Sequence, residues 1–335
     1  MKRFLIKLSY TVLPVFLFLF GLVAYVTFYI SPKATGDLGH LAYIPFNCQD
    51  GDEYEEEQLL YEDVQSQEEL KSIHVNVLNI GDSFSMQGRN GYQNYLSKQG
   101  VSVANCNNKL YDNPIQYAYN LLNENIIDST NVDVVVVEVG ERVIVREMER
   151  FSVDRLEKPM PQSSQKGSNE WSLLRARDFL MYRFGIKKPV CVADLDRDFF
   201  DSNEPRKLYF YYADLNGISI EETSIPKIKE VYSLMLDLAN KKGVGFLLMI
   251  PVDKYDLYQD YIVDNPYPHP KTVNEDVKVI LGDVTNVMLC KYYLEPMLEK
   301  GEKDVFLFDD SHWSSKAAEV VGVELGRRVK ELMKL

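Results

Sequence analysis

Asp133-Val134-Val135-Val136-Val137-Glu138-Val139 is the stretch that decides the fold. Four consecutive valines leave no polar face, so this strand is buried on both sides. Strands buried on both sides belong to parallel sheets covered by helices. The flanking chain repeats the pattern. Upstream, Val75-Asn76-Val77-Leu78-Asn79-Ile80 reads as a strand, residues 91–100 as a helix and 101–106 as a second strand. A helix over 114–127 opens at Pro114. Downstream, residues 226–242 read as a helix stopped by Gly243, and 245–250 as a strand. Residues 304–308 read as the last strand, and 314–335 as the closing helix. The order β-α-β-α-β, then α-β, then β-α predicts an α/β fold: a doubly wound, mostly parallel, flavodoxin-like three-layer sheet. Residues 145–225 are polar, aromatic and weakly periodic, and read as an insertion capping the sheet.

The N-terminus differs in kind. Lys2, Arg3 and Lys7 lie in a basic stub over residues 1–9, before an uncharged stretch over 10–30. Those residues are enough to cross a bilayer core as a helix. The basic flank predicts a cytoplasmic N-terminus and an exported body, periplasmic or extracellular. The run is longer than a usual signal-peptide core and no small-residue cleavage site follows, so it reads as an uncleaved signal anchor. The expected organisation is stub, anchor, acidic linker over 31–71 and one catalytic domain over 72–335.

The chain has 335 residues, 50 acidic and 37 basic, for a net charge of −13. An acidic chain repels phosphates, which argues against nucleic-acid binding. Ten acidic residues and one lysine fall between Asp50 and Lys71. That run reads as a solvated spacer. Cys48, Cys106, Cys191 and Cys290 form no C-x-x-C pair, so neither a zinc knuckle nor a dithiol redox motif is expected.

Ligands of open α/β sheets bind outside the carboxyl ends of the strands. Four strand exits carry polar residues: Gly81-Asp82-Ser83-Phe84-Ser85, Gly140-Glu141-Arg142, Pro251-Val252-Asp253-Lys254 and Asp309-Asp310-Ser311-His312-Trp313. Of the four histidines, His40 lies in the linker, His74 at a strand entry and His269 in a proline-rich loop. His312 alone follows a strand with carboxylates close before it. A hydroxyl nucleophile needs a base, and the base needs an orienting acid. Asp310 or Asp309 can hold the imidazole, and Ser83 is the hydroxyl at the opposite exit, with Ser85 deeper in the turn as the alternative.

These blocks resemble the SGNH (GDSL-type) hydrolase superfamily. Gly81-Asp82-Ser83-Phe84-Ser85 looks like its first block, and Asp309/Asp310 with His312 like its last. The similarity is nearest to alginate O-acetyltransferase-like domains, through Asp310-Ser311-His312-Trp313, Glu138-Val139-Gly140-Glu141-Arg142 and Pro251 to Lys254. The Gly-x-Asn-Asp block of ordinary members is missing, and Asp-x-His-Trp follows the serine here instead of preceding it. The resemblance implies an exported, membrane-anchored O-acetyltransferase that modifies a polysaccharide through an acyl-serine. Ser83 would be nucleophile, His312 base and Asp310 its acid, with Asp309 as alternative. The Ser83 backbone and Arg142 would hold the oxyanion, and Lys254, Tyr255, Tyr258 and Trp313 would line a glycan cleft. It implies no metal or nucleotide cofactor, a glycan acceptor, and a membrane-bound O-acyltransferase as donor partner. A carbohydrate acetylesterase using the same triad is the alternative, and a non-catalytic envelope scaffold the second.

Overall fold

The computed structural model describes residues 2–30, 36–42, 44, 58–106, 108–124, 126–157, 173–186, 188–267, 269–282 and 284–334. Cys48, the acidic residues 50–57 and the insertion residues 158–172 lie outside the described residues.

The valine run is strand β4, and it sits inside a six-stranded sheet. In chain order the sheet strands are β1 (Glu62–Val64), β2 (Val77–Ile80), β3 (Val103–Cys106), β4 (Val134–Glu138), β7 (Gly245–Ile250) and β8 (Val287–Leu289). Their spatial order is β1-β3-β2-β4-β7-β8, with every pairing parallel. The register puts Val134 between Val77 and Gly245, and Val137 between Ile80 and Leu248. Successive residues alternate between two cores. Val134 and Val136 belong to one hydrophobic cluster, Val135 and Val137 to the other. Burying each valine contributes about 1.5–3 kcal/mol, and strands buried on both faces collect it at every residue.

Helices cover both faces. α4 (Tyr92–Lys98), α11 (Lys291–Glu299) and α12 (Ser315–Leu332) feed the first cluster. α5 (Pro114–Asn123), α6 (Ile144–Arg150), α8 (Ile225–Lys242) and α10 (Val273–Leu281) feed the second. α5 starts as its sequence announces: Pro114 occupies the first turn, and Asn113 Oδ1 accepts from the Ile115 and Gln116 amides.

Three elements depart from the sequence expectation. β1 emerges from the acidic run, because a parallel edge strand needs only one neighbour and tolerates Glu62 and Asp63 facing water. β8 is three residues long, too short for a period to show. Residues 304–308 are not a sheet strand. Phe306 forms a single antiparallel bridge with Trp313, and the Leu307 amide donates to the His312 carbonyl at 3.2 Å. The chain doubles back on itself there, and β8 takes the place beside β7.

The insertion begins later than expected, since α6 packs in the outer helix layer with α5 and α8. α7 (Leu173–Arg183) and the antiparallel pair β5 (Val190–Asp194) and β6 (Lys207–Tyr211) follow. The pair packs against α9 (Lys254–Tyr258) and α2 (Gly36–Ala42), while α3 (Gln67–Leu70) follows β1.

At the N-terminus, α1 (Lys2–Tyr25) continues into a wider π turn over Val26–Ile30. Val12–Ile30 is long and apolar enough to cross a membrane. Its far end leans on α7: Val26 and Ile30 cluster with Phe179, and Tyr25 meets the Phe179 ring edge-on at 6.2 Å.

Candidate functional site

The β2 exit makes a tight turn. Gly81 must be glycine, because a Cβ would lie 2.3 Å from Glu138 Oε2 and 2.8 Å from the Ser85 Cβ. The Tyr111 hydroxyl receives the Gly81 amide at 2.9 Å and donates to the Gly81 carbonyl at 2.7 Å. Asp82 ties the turn to the neighbouring strand exit. Its Oδ1 accepts from the Phe84 amide at 3.1 Å and its Oδ2 from the Gly140 amide at 2.7 Å. The Asp82 amide donates to Glu138 Oε2 at 3.0 Å. Burial, and then the charge of Asp82, push the Glu138 carboxyl well above its ordinary value. From the other side, Gln93 and Asn105 donate to the Ser85 carbonyl. Ser83 is half-buried at the surface of the turn. Ser85 faces inward, fully buried, and donates its hydroxyl to the Asp82 carbonyl at 2.8 Å. That leaves Ser83 as the accessible hydroxyl of this turn.

Asp310 and His312 sit on the reversal after Phe306. His312 Nδ1 is 2.6 Å from Asp310 Oδ1, which also accepts the His312 amide at 3.0 Å. Asp309 takes a different place: its carbonyl accepts from the Leu38 amide, and its Oδ2 meets no hydrogen-bonding partner among the described residues. Burial works against both charges of the Asp310–His312 pair. The hydrogen bond and mutual attraction outweigh it, holding Asp310 far below and His312 above their ordinary values. Asp37 raises the imidazole further, and Arg142 pulls it down. His312 Nε2 is buried and meets no hydrogen-bonding partner among the described residues.

The two exits touch. The Phe84 ring, next in chain to Ser83, packs edge-on against the His312 imidazole with centroids 4.9 Å apart. Gln87 Nε2 donates to the Trp313 carbonyl at 2.8 Å. No Ser83–His312 hydrogen bond is present; such bonds commonly close only when substrate arrives.

Arg142 hangs over the site from the β4 exit. Its Nη1 bonds Asp214 Oδ1 at 3.0 Å and Asp253 Oδ1 at 2.9 Å, and the guanidinium lies 5.5 Å from the Tyr211 ring centroid. The charges of Asp82 and Asp37 also act on it. Beneath it lies a buried charge network. Lys271 pairs with Asp253 and approaches Glu141, and the Asp253 amide donates to Glu141 Oε2.

The expected glycan-cleft residues are elsewhere. Lys254 is fully buried, and its Nζ donates to the carbonyls of Leu307 at 2.6 Å, Phe308 at 2.9 Å and Asp310 at 2.9 Å. Burial lowers its pKa to about 8, against the opposing charges of Asp309, Asp310 and Asp37. It is an internal clamp on the histidine loop. Trp313 is fully buried, 4.6 Å from Phe84 and 6.3 Å from Tyr92, and cannot serve as a stacking platform. Tyr255 and Tyr258 are core residues stacked among Phe210, Phe200 and Phe199. Sequence reasoning also missed Asp37 and Asp214, which come from segments without motif signals, and gave Asp253 no role although it stands in the Pro251–Lys254 strand exit.

Asp37, Asp310 and His312 hold potential metal ligands within 4.8 Å of one another. The short Asp310–imidazole bond already engages Nδ1, so the cluster reads as a hydrogen-bonded dyad with a second carboxylate. Compared with protein-family models and with curated proteins, the sequence finds no match in either.

Proposed function

We propose that this protein is a membrane-anchored, exported serine O-acetyltransferase that modifies a cell-surface or secreted polysaccharide. One observation carries the reading. An imidazole oriented by a carboxylate at Nδ1, with an unengaged Nε2, packs against the turn that presents Ser83 at the exit of a parallel sheet. An activated hydroxyl nucleophile needs a base oriented in this way at its side.

In this reading, His312 takes the Ser83 proton through Nε2 as the oxygen attacks an acetyl ester. The Ser83 backbone N–H and Arg142 receive the developing oxyanion. Each such donor lowers the barrier by about 2.7–4 kcal/mol. The imidazolium returns its proton to the leaving oxygen, and the acetyl group stays on Ser83. A sugar hydroxyl then attacks the acyl-serine, losing its proton to His312; the bond between the acetyl carbon and the Ser83 oxygen breaks, the acetylated sugar leaves, and His312 returns the proton to Ser83. The span Val12–Ile30 anchors the chain, with the body outside. A membrane-bound O-acyltransferase supplies acetyl groups from the cytoplasmic side.

The test uses the full chain in nanodiscs with p-nitrophenyl acetate. Peptide mass analysis is expected to find one acetyl group on Ser83, absent in Ser83→Ala. Labelling elsewhere that persists in Ser83→Ala overturns the assignment. Adding oligosaccharide acceptors separates transfer from hydrolysis: acetylated sugar supports the transferase, whereas free acetate alone assigns an esterase.

A further inference from the structure

We propose that Asp37, carried by the short helix just after the apolar span, is a positioning residue for the Asp310–His312 dyad. The inference deepens the function proposed above and rests on it for the dyad's catalytic role. Asp37 follows Ile30 by seven residues, yet it reaches a loop at the far end of the chain. Its amide donates to Asp310 Oδ2 at 3.1 Å, leaving Asp310 Oδ1 for His312. Its Oδ1 accepts from the Ser311 amide at 2.7 Å, and its Oδ2 accepts from the Ser311 hydroxyl. The next amide, Leu38, donates to the Asp309 carbonyl at 3.1 Å. Both oxygens and the amide of one aspartate are therefore committed to two consecutive residues of the histidine loop, Asp310 and Ser311, and the next amide to a third, Asp309.

The approach is close enough to dictate its neighbour. Gly36 has φ +60°, and a Cβ there would lie 2.2 Å from the Asp309 carbonyl oxygen. Only glycine lets the chain enter α2 against this loop. Asp37 Oδ2 lies 3.8 Å from His312 Nδ1, so the imidazole is flanked by two carboxylates. Asp310 fixes the tautomer; Asp37 fixes Asp310 and adds negative charge beside the ring. The segment leaving the anchor is thereby part of the structure that orients the base.

The charged groups around the imidazole are Asp310 on its own loop, Asp37 from α2 and Arg142 from the β4 exit. Lys254 lies under the same loop, and Asp82 on the adjoining turn. Only Asp37 changes in the deciding experiment. The full chain, labelled with 13C at histidine Cε1, is placed in nanodiscs and titrated by NMR. The four histidines give few signals, and His312→Gln assigns the one in question. Asp37→Asn is expected to lower the His312 midpoint by about one unit, since an opposite charge at this range shifts a titration by that order. Asp37→Glu is expected to recover at least half of it. An unmoved midpoint in Asp37→Asn overturns the proposal. If Asp37→Asn does not fold, seen as loss of the native His74 and His269 signals, Ser311→Ala replaces it. That variant keeps the charge and loosens its hold, so a smaller downward shift is expected, and no shift overturns the proposal. The titration needs no turnover, while Ser83 acetylation is measured separately. A wild-type chain that shifts on Asp37→Asn but never acylates retires the enzymatic reading and leaves the role of Asp37 toward the ring standing. Acylation without the shift does the reverse.

Discussion

The Ser83 turn and the His312 loop lie side by side but are built differently. The turn belongs to the sheet. It leaves β2 directly, and its supports come from the adjoining strand exit at Glu138 and Gly140 and from Tyr111, Gln93 and Asn105. The loop belongs to no strand. Its shape depends on Lys254 from below, Asp37 and Leu38 from the N-terminal segment, and the packing of Trp313. One half of the site is fixed by local geometry and the other by groups brought from distant parts of the chain. Breaking the turn therefore acts through steric overlap, whereas breaking the loop acts through lost polar partners.

The largest effect is expected from Gly81→Ala. The new methyl falls 2.3 Å from a buried carboxyl oxygen and 2.8 Å from a buried side-chain carbon, so the turn must shift. Overpacking of this kind costs about 1–3 kcal/mol, and the crowding here places it at the upper end. Urea unfolding measures the loss, and Ser83 acetylation should vanish with it. Full acetylation in a stable Gly81→Ala protein would mean that the turn is not rigid.

Next comes Lys254→Met, which keeps the stem and removes the donors. Three loop carbonyls then lose a buried partner, at a cost of about 1–3 kcal/mol for the group left unsatisfied. The contrast with Gly81→Ala is in the histidine signals. His312 should broaden or move while the sheet stays native. An unchanged His312 resonance would show that the loop holds its shape without the clamp.

Asp310→Asn sharpens the comparison through pH. A base must be neutral to accept a proton, and His312 titrates above 6.5, so acetylation of Ser83 should rise with pH through a midpoint above that value. Removing Asp310 takes away the main support of the imidazolium, and the midpoint should fall by about one unit, or about 1.4 kcal/mol. Stability runs the other way with pH. The raised imidazole contributes fully below pH 6.5 and its contribution fades as pH climbs through the folded value. Asp310→Asn should flatten that window. A midpoint that does not move would detach Asp310 from the base.

The sheet was legible because its signal is continuous. The run at 133–139 and the strands at 75–80 and 245–250 each lie inside or close to their observed limits. The turn was legible with it, since a Gly-Asp-Ser at a strand exit has one place to go. β8 and β1 were hidden by their three-residue length. The apolar residues Val305, Phe306, Leu307 and Phe308 read as a strand because burial is all that hydropathy reports. What bends them into a loop is Lys254, a polar residue on another element, which sequence order places beside a cleft instead of inside the core. Asp37 is the extreme case, since no local pattern ties it to residues 309–312.

The smallest expected effect probes the turn again. Glu138 is fully buried, and burial and the Asp82 charge push its carboxyl well above its ordinary value, toward the neutral form. Glu138→Gln keeps nearly the same shape and fixes the group in an uncharged form. The amide oxygen can accept from the Asp82 amide as the carboxyl oxygen does. Unfolding free energy should change by less than about 1 kcal/mol, and acetylation should persist. An ionised Glu138 would behave otherwise, because removing its charge beside Asp82 would relieve repulsion in a buried site and stabilise the fold above pH 7. The turn is thus sensitive to one added methyl at Gly81 and indifferent to a proton-sized change at Glu138, as expected of a structure governed by shape. The histidine loop should show the opposite pattern, tolerant of small volume changes and intolerant of a lost charge.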